Sequence, residues 1–190
     1  MRKRRKTKKQ KKQKFNLVDL AARYSLAFAL SINSLFIFYY IFRPLTFYPV
    51  LFILKLFYSA GLSGLELLIV NSYEISLVDA CVAGSAYYML AILNLTTRGI
   101  RFFKRIKIFF LDAALLLALN ILRIVILAIV LVESSALFDV MHFIFWHVVS
   151  VVFVVFIWLF TIKIYKIKEI PVWSDILYLK SFMKRQRKKQ

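Results

Sequence analysis

Cysteine is almost missing from this sequence, because Cys81 is the only one. A single cysteine forms no intramolecular disulfide and no thiolate-rich metal site. Most lone cysteines are inert apolar residues, so Cys81 indicates chemistry only if reactive side chains lie beside it. We therefore expect no structural disulfide, no metal site and no cofactor.

Glycine, proline and acidic residues are also few, with 4, 3 and 9 of them among 190 residues. Hydrophobic residues instead make up 62% of the chain and aromatic residues 17%, which excludes an ordinary soluble domain of this size. A membrane span needs about 20 apolar residues. Three stretches meet or approach this length, and a shorter fourth follows Ala80; they are residues 24–42, 108–132, 140–162 and 81–95.

Positive charge is concentrated beside these apolar stretches. The formal net charge is +19, and ten, five and nine of the Lys and Arg residues lie in residues 1–14, 98–107 and 163–190. Basic flanks stay cytoplasmic during insertion and bind anionic lipid headgroups. We therefore predict a multi-pass protein of the cell membrane with both termini cytoplasmic and membrane lipids as partners.

Binding of RNA or a ribosome is the alternative interpretation of the basic amino-terminal tail. This tail has no aromatic residue before Phe15 on which a base could stack. We therefore expect no nucleic-acid partner. The resulting domain prediction is a basic disordered cytoplasmic tail over residues 1–16, a membrane-embedded catalytic domain over 17–168 and a basic cytoplasmic tail over 169–190.

The segment between the first and second spans is predicted to stay on the outer side. Arg43-Pro44 should end the first span, and residues 45–60 should form a helix at the outer interface. Residues 65–79 contain acidic side chains and a turn-like Asn71-Ser72, so they make a poor transmembrane helix and a better β-hairpin. Asp79 should then cap a helix that starts at Ala80.

The fold class predicted from these observations is an all-α polytopic membrane protein. It should have about four transmembrane helices, one outer interfacial helix and a small outer β-hairpin. An outer loop is expected over residues 133–139. Asp112, near the inner end of its span, should pair with the basic loop.

Arg123 is the residue that fits least well in its apolar span, since a central guanidinium costs about 3 kcal/mol on insertion scales. Asn120 lies three residues earlier and therefore on the same helical face. Arg123 either bridges helices by pairing with Asp139 or Glu133, or it faces a functional site. Its depth below the outer surface is similar to that expected for Cys81.

The two histidines, His142 and His147, lie at the start of the last span. His142 is expected at the level of Cys81, or as a partner of Asp139 at i−3. His147 should face elsewhere, but the residues alone leave the choice between the two open.

A thiol, a guanidinium and an imidazole at one level suggest nucleophilic catalysis. A helix amino terminus and a nearby cation both favour the thiolate of Cys81. His142 is suited to proton transfer, and Arg123 or the backbone N–H groups of residues 82–84 are suited to an oxyanion.

Three short segments resemble the archaeosortase and exosortase family of membrane transpeptidases. They are Asp79-Ala80-Cys81-Val82-Ala83-Gly84, Asn120-Ile121-Leu122-Arg123-Ile124 and Phe138-Asp139-Val140-Met141-His142. The family order of Cys, Arg and His is kept, and the resemblance covers residues 44–162. Typical members carry Ser or Thr and then Gly after the cysteine, whereas this chain has Val82-Ala83-Gly84, and it is shorter than many members.

The resemblance implies Cys81, Arg123 and His142 as catalytic residues near the outer face, with Asn120, Asp139 and Gly84 in support. It implies a membrane cysteine protease or transpeptidase that cleaves carboxyl-terminal sorting signals of exported proteins through a Cys81 acyl-enzyme. The products would pass to a membrane or lipid acceptor, or to water. Substrates would carry a carboxyl-terminal motif, an apolar span and a basic cluster. The alternative is a noncatalytic membrane scaffold or helix-binding protein with a structural Arg123.

Overall fold

The structure, a computed structural model, describes residues 17–32, 36–63, 67–71, 73–76 and 78–187. The predicted amino-terminal tail, residues 1–16, lies outside this part. The described chain is mostly helical, with a small sheet. Its elements, in order, are α1 (Leu17–Ile32), α2 (Phe36–Lys55), β1 (Ala60–Ser63), β2 (Leu67–Val70), β3 (Tyr73–Ser76), α3 (Asp79–Val82), α4 (Gly84–Thr96), α5 (Phe102–Glu133), α6 (Ser135–Ile144), a π-helical turn (Phe145–Val149), α7 (Ser150–Tyr165) and α8 (Trp173–Arg187).

Three helical segments in the described chain are long and apolar enough to cross a membrane: Phe36–Lys55, Phe102–Glu133 and Ser135–Tyr165. The last two contain the predicted spans over residues 108–132 and 140–162. The predicted fourth span corresponds to α4, which has 13 residues. At 1.5 Å per residue such a helix covers about 20 Å, less than the ~30 Å of the hydrocarbon core.

The prediction for the first outer segment is wrong, because Arg43-Pro44 does not end a helix. α1 stops at Ile32, and α2 runs from Phe36 to Lys55 through both Pro44 and Pro49. The expected interfacial helix over residues 45–60 is therefore not a separate element. Packing of α2 against α5 explains its continuity, because apolar side chains on both sides of the prolines are buried, including Phe42, Phe47, Val50 and Leu54.

The predicted hairpin is present as β2 and β3, with Asn71 in the left-handed region at φ 54° in the turn. The sequence analysis missed β1, which pairs antiparallel with β2 and completes a three-stranded sheet in the order β1-β2-β3. β1 is built from Ala60, Gly61, Leu62 and Ser63, so it lacks the β-branched and aromatic residues typical of strands.

The helix expected to start at Ala80 and to contain the apolar stretch 81–95 is broken near its start. α3 ends at Val82, Ala83 adopts a left-handed conformation at φ 61°, and α4 begins at Gly84. The residue before α3 is Val78, so Asp79 does not cap this helix as predicted but is its first residue. A left-handed non-glycine residue costs about 1–2 kcal/mol, so the surrounding packing holds Ala83 in place.

The predicted outer loop over residues 133–139 is also wrong. Only Ser134 separates α5 from α6, and Asp139 lies inside α6. The carboxyl end of α5 is tied to the segment after α2, since the Tyr58 hydroxyl donates to Glu133 Oε1 at 3.0 Å. This hydrogen bond raises the pKa of the half-buried Tyr58 phenol.

Two arginines organise the opposite end of the bundle. The Arg105 guanidinium donates to the carbonyl groups of Asn94, Leu95 and Thr97 at the end of α4. Arg23 on α1 forms an ion pair with the buried Asp175 of α8 at 3.2 Å, so the predicted tail over residues 169–190 contains a docked helix.

Asp112 does not pair with the basic loop as expected. Its carboxylate accepts a hydrogen bond from Thr161 of α7, and both side chains are fully buried. The reason is its position on α5, where Asp112 faces the neighbouring helix α7 rather than the loop after α4. The pair therefore ties α5 to α7.

Candidate active site

Cys81 lies on α3 immediately before the break at Ala83, and its side chain is half-buried. Its backbone N–H donates to the Val78 carbonyl at 2.8 Å. Its own carbonyl accepts a hydrogen bond from Asn120 Nδ2, also at 2.8 Å. Asn120 is buried on α5, so it fixes the backbone of the cysteine against that helix.

Arg123 lies one turn beyond Asn120 on α5 and is only 5% exposed. Its Nη1 donates to Ser150 Oγ on α7 at 2.8 Å. Among the described residues, no acceptor bonds to Arg123 Nε. The alternative in which Arg123 pairs with Asp139 or Glu133 is not found among the described ion pairs, and Arg123 bonds this hydroxyl instead. The buried guanidinium therefore keeps one N–H donor without an acceptor in the described chain.

The charge of Arg123 acts directly on the cysteine, which lies outside the three candidate spans. Burial raises the pKa of the Cys81 thiol above its ordinary value, while Arg123 and the hydrogen bond with Val78 lower it, without fully compensating. An activated nucleophile requires either a base or a further approach of the guanidinium.

His142 is half-buried on α6, where its ring stacks on Phe138 at 5.4 Å between ring centroids. Trp146 contacts it edge-on at 5.7 Å. In the described part of the chain, no hydrogen bond joins His142 to Cys81 or Arg123. The structure thus joins Cys81 to Asn120, places Arg123 one turn further along the same helix α5, and leaves His142 in an aromatic cluster.

The π-helical turn after α6 decides how the two histidines are oriented. A π turn contains one residue more than an α turn. The eight steps along the chain from His142 to Ser150 therefore rotate around the helix axis only as far as seven steps would in a regular α-helix. Seven residues make about two turns, which places His142 and Ser150 on one face. His147 is exposed, and its Nδ1 lies 3.1 Å from the Phe143 carbonyl.

Ser150 is a site residue that the sequence analysis did not identify. It was visible only as a hydroxyl within the apolar run that follows His147. A regular 3.6-residue period gives no reason to direct it towards Arg123. The π-helical turn supplies that reason, and sequence periodicity does not reveal it.

The remaining predicted support residues occupy different environments. Gly84 is buried at the start of α4, where a Cβ would lie 2.5 Å from Tyr39 Cε1. Asp139 is exposed on α6. Gly84 therefore contributes to packing near Cys81, whereas the structure gives Asp139 no comparable role.

The comparisons with known proteins complete the description of the site. No family model, curated protein or solved structure matches this chain. Across the residues with described structure, no group of three or more His, Cys, Asp or Glu side chains is arranged to hold a metal ion.

Proposed function

We propose that this chain is a membrane cysteine transpeptidase or peptidase that cleaves sorting signals of exported proteins through a Cys81 acyl-enzyme. A single observation supports this proposal most strongly. Arg123 is buried one helical turn beyond Asn120, which bonds the Cys81 carbonyl, and its Nε is unpaired within the described structure. Because a guanidinium inside a span costs about 3 kcal/mol, a group that offers a free donor beside a nucleophile suits catalysis better than support.

In the first half-reaction, His142 takes the proton of the Cys81 thiol, and the resulting thiolate attacks the carbonyl carbon of the scissile amide. A C–S bond forms, and the carbonyl electron pair moves to oxygen. Arg123 Nε is a suitable donor to this oxyanion. The C–N bond then breaks, the amine leaves with a proton from His142, and a thioester remains on Cys81.

In the second half-reaction, an amine or a lipid-linked nucleophile attacks the thioester carbonyl and gives its proton to His142. The C–S bond breaks and the thiolate is restored. Water completes the same cycle as hydrolysis. The proposal requires His142 to approach when substrate binds, and catalytic hydrogen bonds commonly tighten only in the substrate complex.

The resemblance to archaeosortases and exosortases supplies the proposed substrate class. Such a substrate carries a short motif, an apolar span and a basic cluster at its carboxyl end. The test is to co-express this chain with an exported protein of that design from the same genome and to follow its processing. Cys81→Ser should abolish processing while the protein stays inserted.

Arg105 provides a matched control for Arg123, since both are buried arginines on α5. Arg123→Lys keeps the charge but loses the planar donor geometry, so processing per molecule should fall about 100-fold at normal protein level. Arg105→Lys should lower protein level without changing processing per molecule. Unchanged processing in Cys81→Ser would reject the cysteine mechanism and favour the scaffold alternative.

A further inference from the structure

The segment Ser135–Tyr165 contains one irregular turn, and this turn ends at the partner of Arg123. Phe145–Val149 form a π-helical turn, in which the Ser150 N–H donates to the carbonyl of Phe145 five residues earlier. Single π turns inside α-helices occur frequently at functional sites. The irregular turn therefore ends at the residue that bonds Arg123.

Two consecutive hydrogen bonds connect the arginine to this turn. Arg123 Nη1 donates to Ser150 Oγ at 2.8 Å, and Ser150 Oγ donates to the Phe145 carbonyl at 2.8 Å. A guanidinium only donates, so the single hydroxyl proton of Ser150 must point to the carbonyl. The Ser150 Oγ lone pair that accepts the Arg123 N–H therefore has a fixed direction.

The acceptor of the hydroxyl proton is unusual for a helical serine. In a regular α-helix, a serine hydroxyl bonds the carbonyl three or four residues earlier. Here the carbonyl belongs to Phe145, five residues earlier, and it also receives the Ser150 N–H. The π turn thus sets the side-chain direction of Ser150.

Burial restricts the Arg123 side chain, but burial alone does not fix the direction of its N–H donors. An arginine side chain carries about 2 kcal/mol of rotamer entropy. Within the described chain, the ion pairs are those of Arg23 with Asp19 and Asp175, and none involves Arg123. A fixed hydroxyl acceptor therefore restrains a guanidinium that no carboxylate holds.

We propose that Ser150 is a positioning residue that holds the Arg123 guanidinium towards Cys81. The inference rests on the proposed function, in which this guanidinium stabilises the thiolate and the oxyanion. Its purpose is to orient Arg123 without neutralising it, because a hydroxyl leaves the positive charge available, whereas a carboxylate would cancel it.

The test measures how fast Cys81 reacts with iodoacetamide as a function of pH in the full-length protein in membranes. Cys81 is the sole cysteine, so the alkylation signal comes from one residue. Removal of the Ser150 hydroxyl should move the midpoint of the rate profile upward by up to about one pH unit, since an oriented nearby cation favours the thiolate.

Four variants separate the hydroxyl from its surroundings. Ser150→Ala and Ser150→Val should both shift the midpoint, whereas Ser150→Thr, which resembles valine in shape, should keep it. Ser31→Ala is the matched control, because the Ser31 hydroxyl also bonds a backbone carbonyl of its own helix, that of Phe28 at 2.7 Å. The Thr and Val pair decides the result even if Ser150→Ala fails to insert.

Arg123→Gln distinguishes failure of this inference from failure of the proposed function. If Arg123→Gln shifts the profile and Ser150→Val does not, Ser150 has no positioning role, although the Cys81 and Arg123 pair survives. If neither change shifts the profile, the pair itself fails and the inference fails with it. A shift in both, with no further shift in the double variant, supports the inference.

Discussion

At the scale of single residues, Gly84, three positions after Cys81, is a point where the backbone lies close to another side chain. A Cβ there would lie 2.5 Å from Tyr39 Cε1, whereas a Cβ at Gly61 would meet nothing within 4 Å. Gly84→Ala should therefore push Tyr39 away and lower thermal stability by about 1–3 kcal/mol, as overpacking does. Gly61→Ala is the control, and both are compared by thermal unfolding in detergent.

A normal unfolding temperature for Gly84→Ala would show that the Tyr39 ring moves without cost. The losses from Gly84→Ala and Tyr39→Ala should then simply add. If the contact is as close as the structure indicates, the double change should instead lose less stability than the sum of the two single changes.

The two histidines give a second test at this scale. The π-helical turn places His142 on the face of Ser150, while His147 is exposed. His142→Ala should abolish processing of a sorting-signal substrate, and His147→Ala should leave it unchanged at equal protein level. Equal loss in both, with both proteins inserted, would contradict the placement of the site.

Sequence reasoning predicted the residues of the candidate site better than their contacts. The i, i+3 spacing of Asn120 and Arg123 correctly predicted a shared face, because a continuous helix enforces it. Ser150 was missed because the direction of its side chain towards Arg123 depends on a π turn. One extra residue in the helix creates such a turn, and the hydrophobic periodicity of the sequence does not reveal it.

At the scale of elements, prolines led to the wrong boundary in α2. Pro44 was predicted to end a helix, because proline removes an N–H donor and crowds the preceding turn. The packed face of α2, which includes Phe42 and Val50, maintains the helix through that position. Tertiary packing of this kind is absent from any local sequence window, and β1 was missed for the same reason.

The docking of α8 gives a prediction for the carboxyl-terminal element. Asp175 is buried and accepts from Arg23 and Tyr24, whereas Asp19 also pairs with Arg23 but is 66% exposed. Asp175→Ala should release α8, because breaking a buried pair costs about 3 kcal/mol. Limited proteolysis should then cut the chain before Trp173.

Asp19→Ala is the control for this experiment, since exposed pairs contribute about 1 kcal/mol or less. Its proteolysis pattern should match that of the unaltered protein. If Asp175→Ala is also cut no faster than the unaltered chain, α8 is held by other contacts, and the buried pair is dispensable.

At the scale of the whole molecule, the charge clusters predict the orientation of the bundle. Asn71 and Glu133 should face the outside, and Arg101 and Lys168 the cytoplasm; all four are exposed. Single cysteines at these positions in a Cys81→Ala background should be labelled by an impermeant reagent only at residues 71 and 133 in intact cells. Labelling at residues 101 and 168 instead would invert the orientation and move Cys81 to the other side.

The most direct measurement for the central claim is the detection of the acyl-enzyme. During turnover with a sorting-signal substrate, mass spectrometry should find the amino-terminal cleavage product attached to the peptide that contains Cys81. Hydroxylamine should release it, as expected of a thioester, and the adduct should be absent from Cys81→Ser. Continued processing in Cys81→Ser, or an adduct on a different residue, would contradict a mechanism in which Cys81 is the nucleophile.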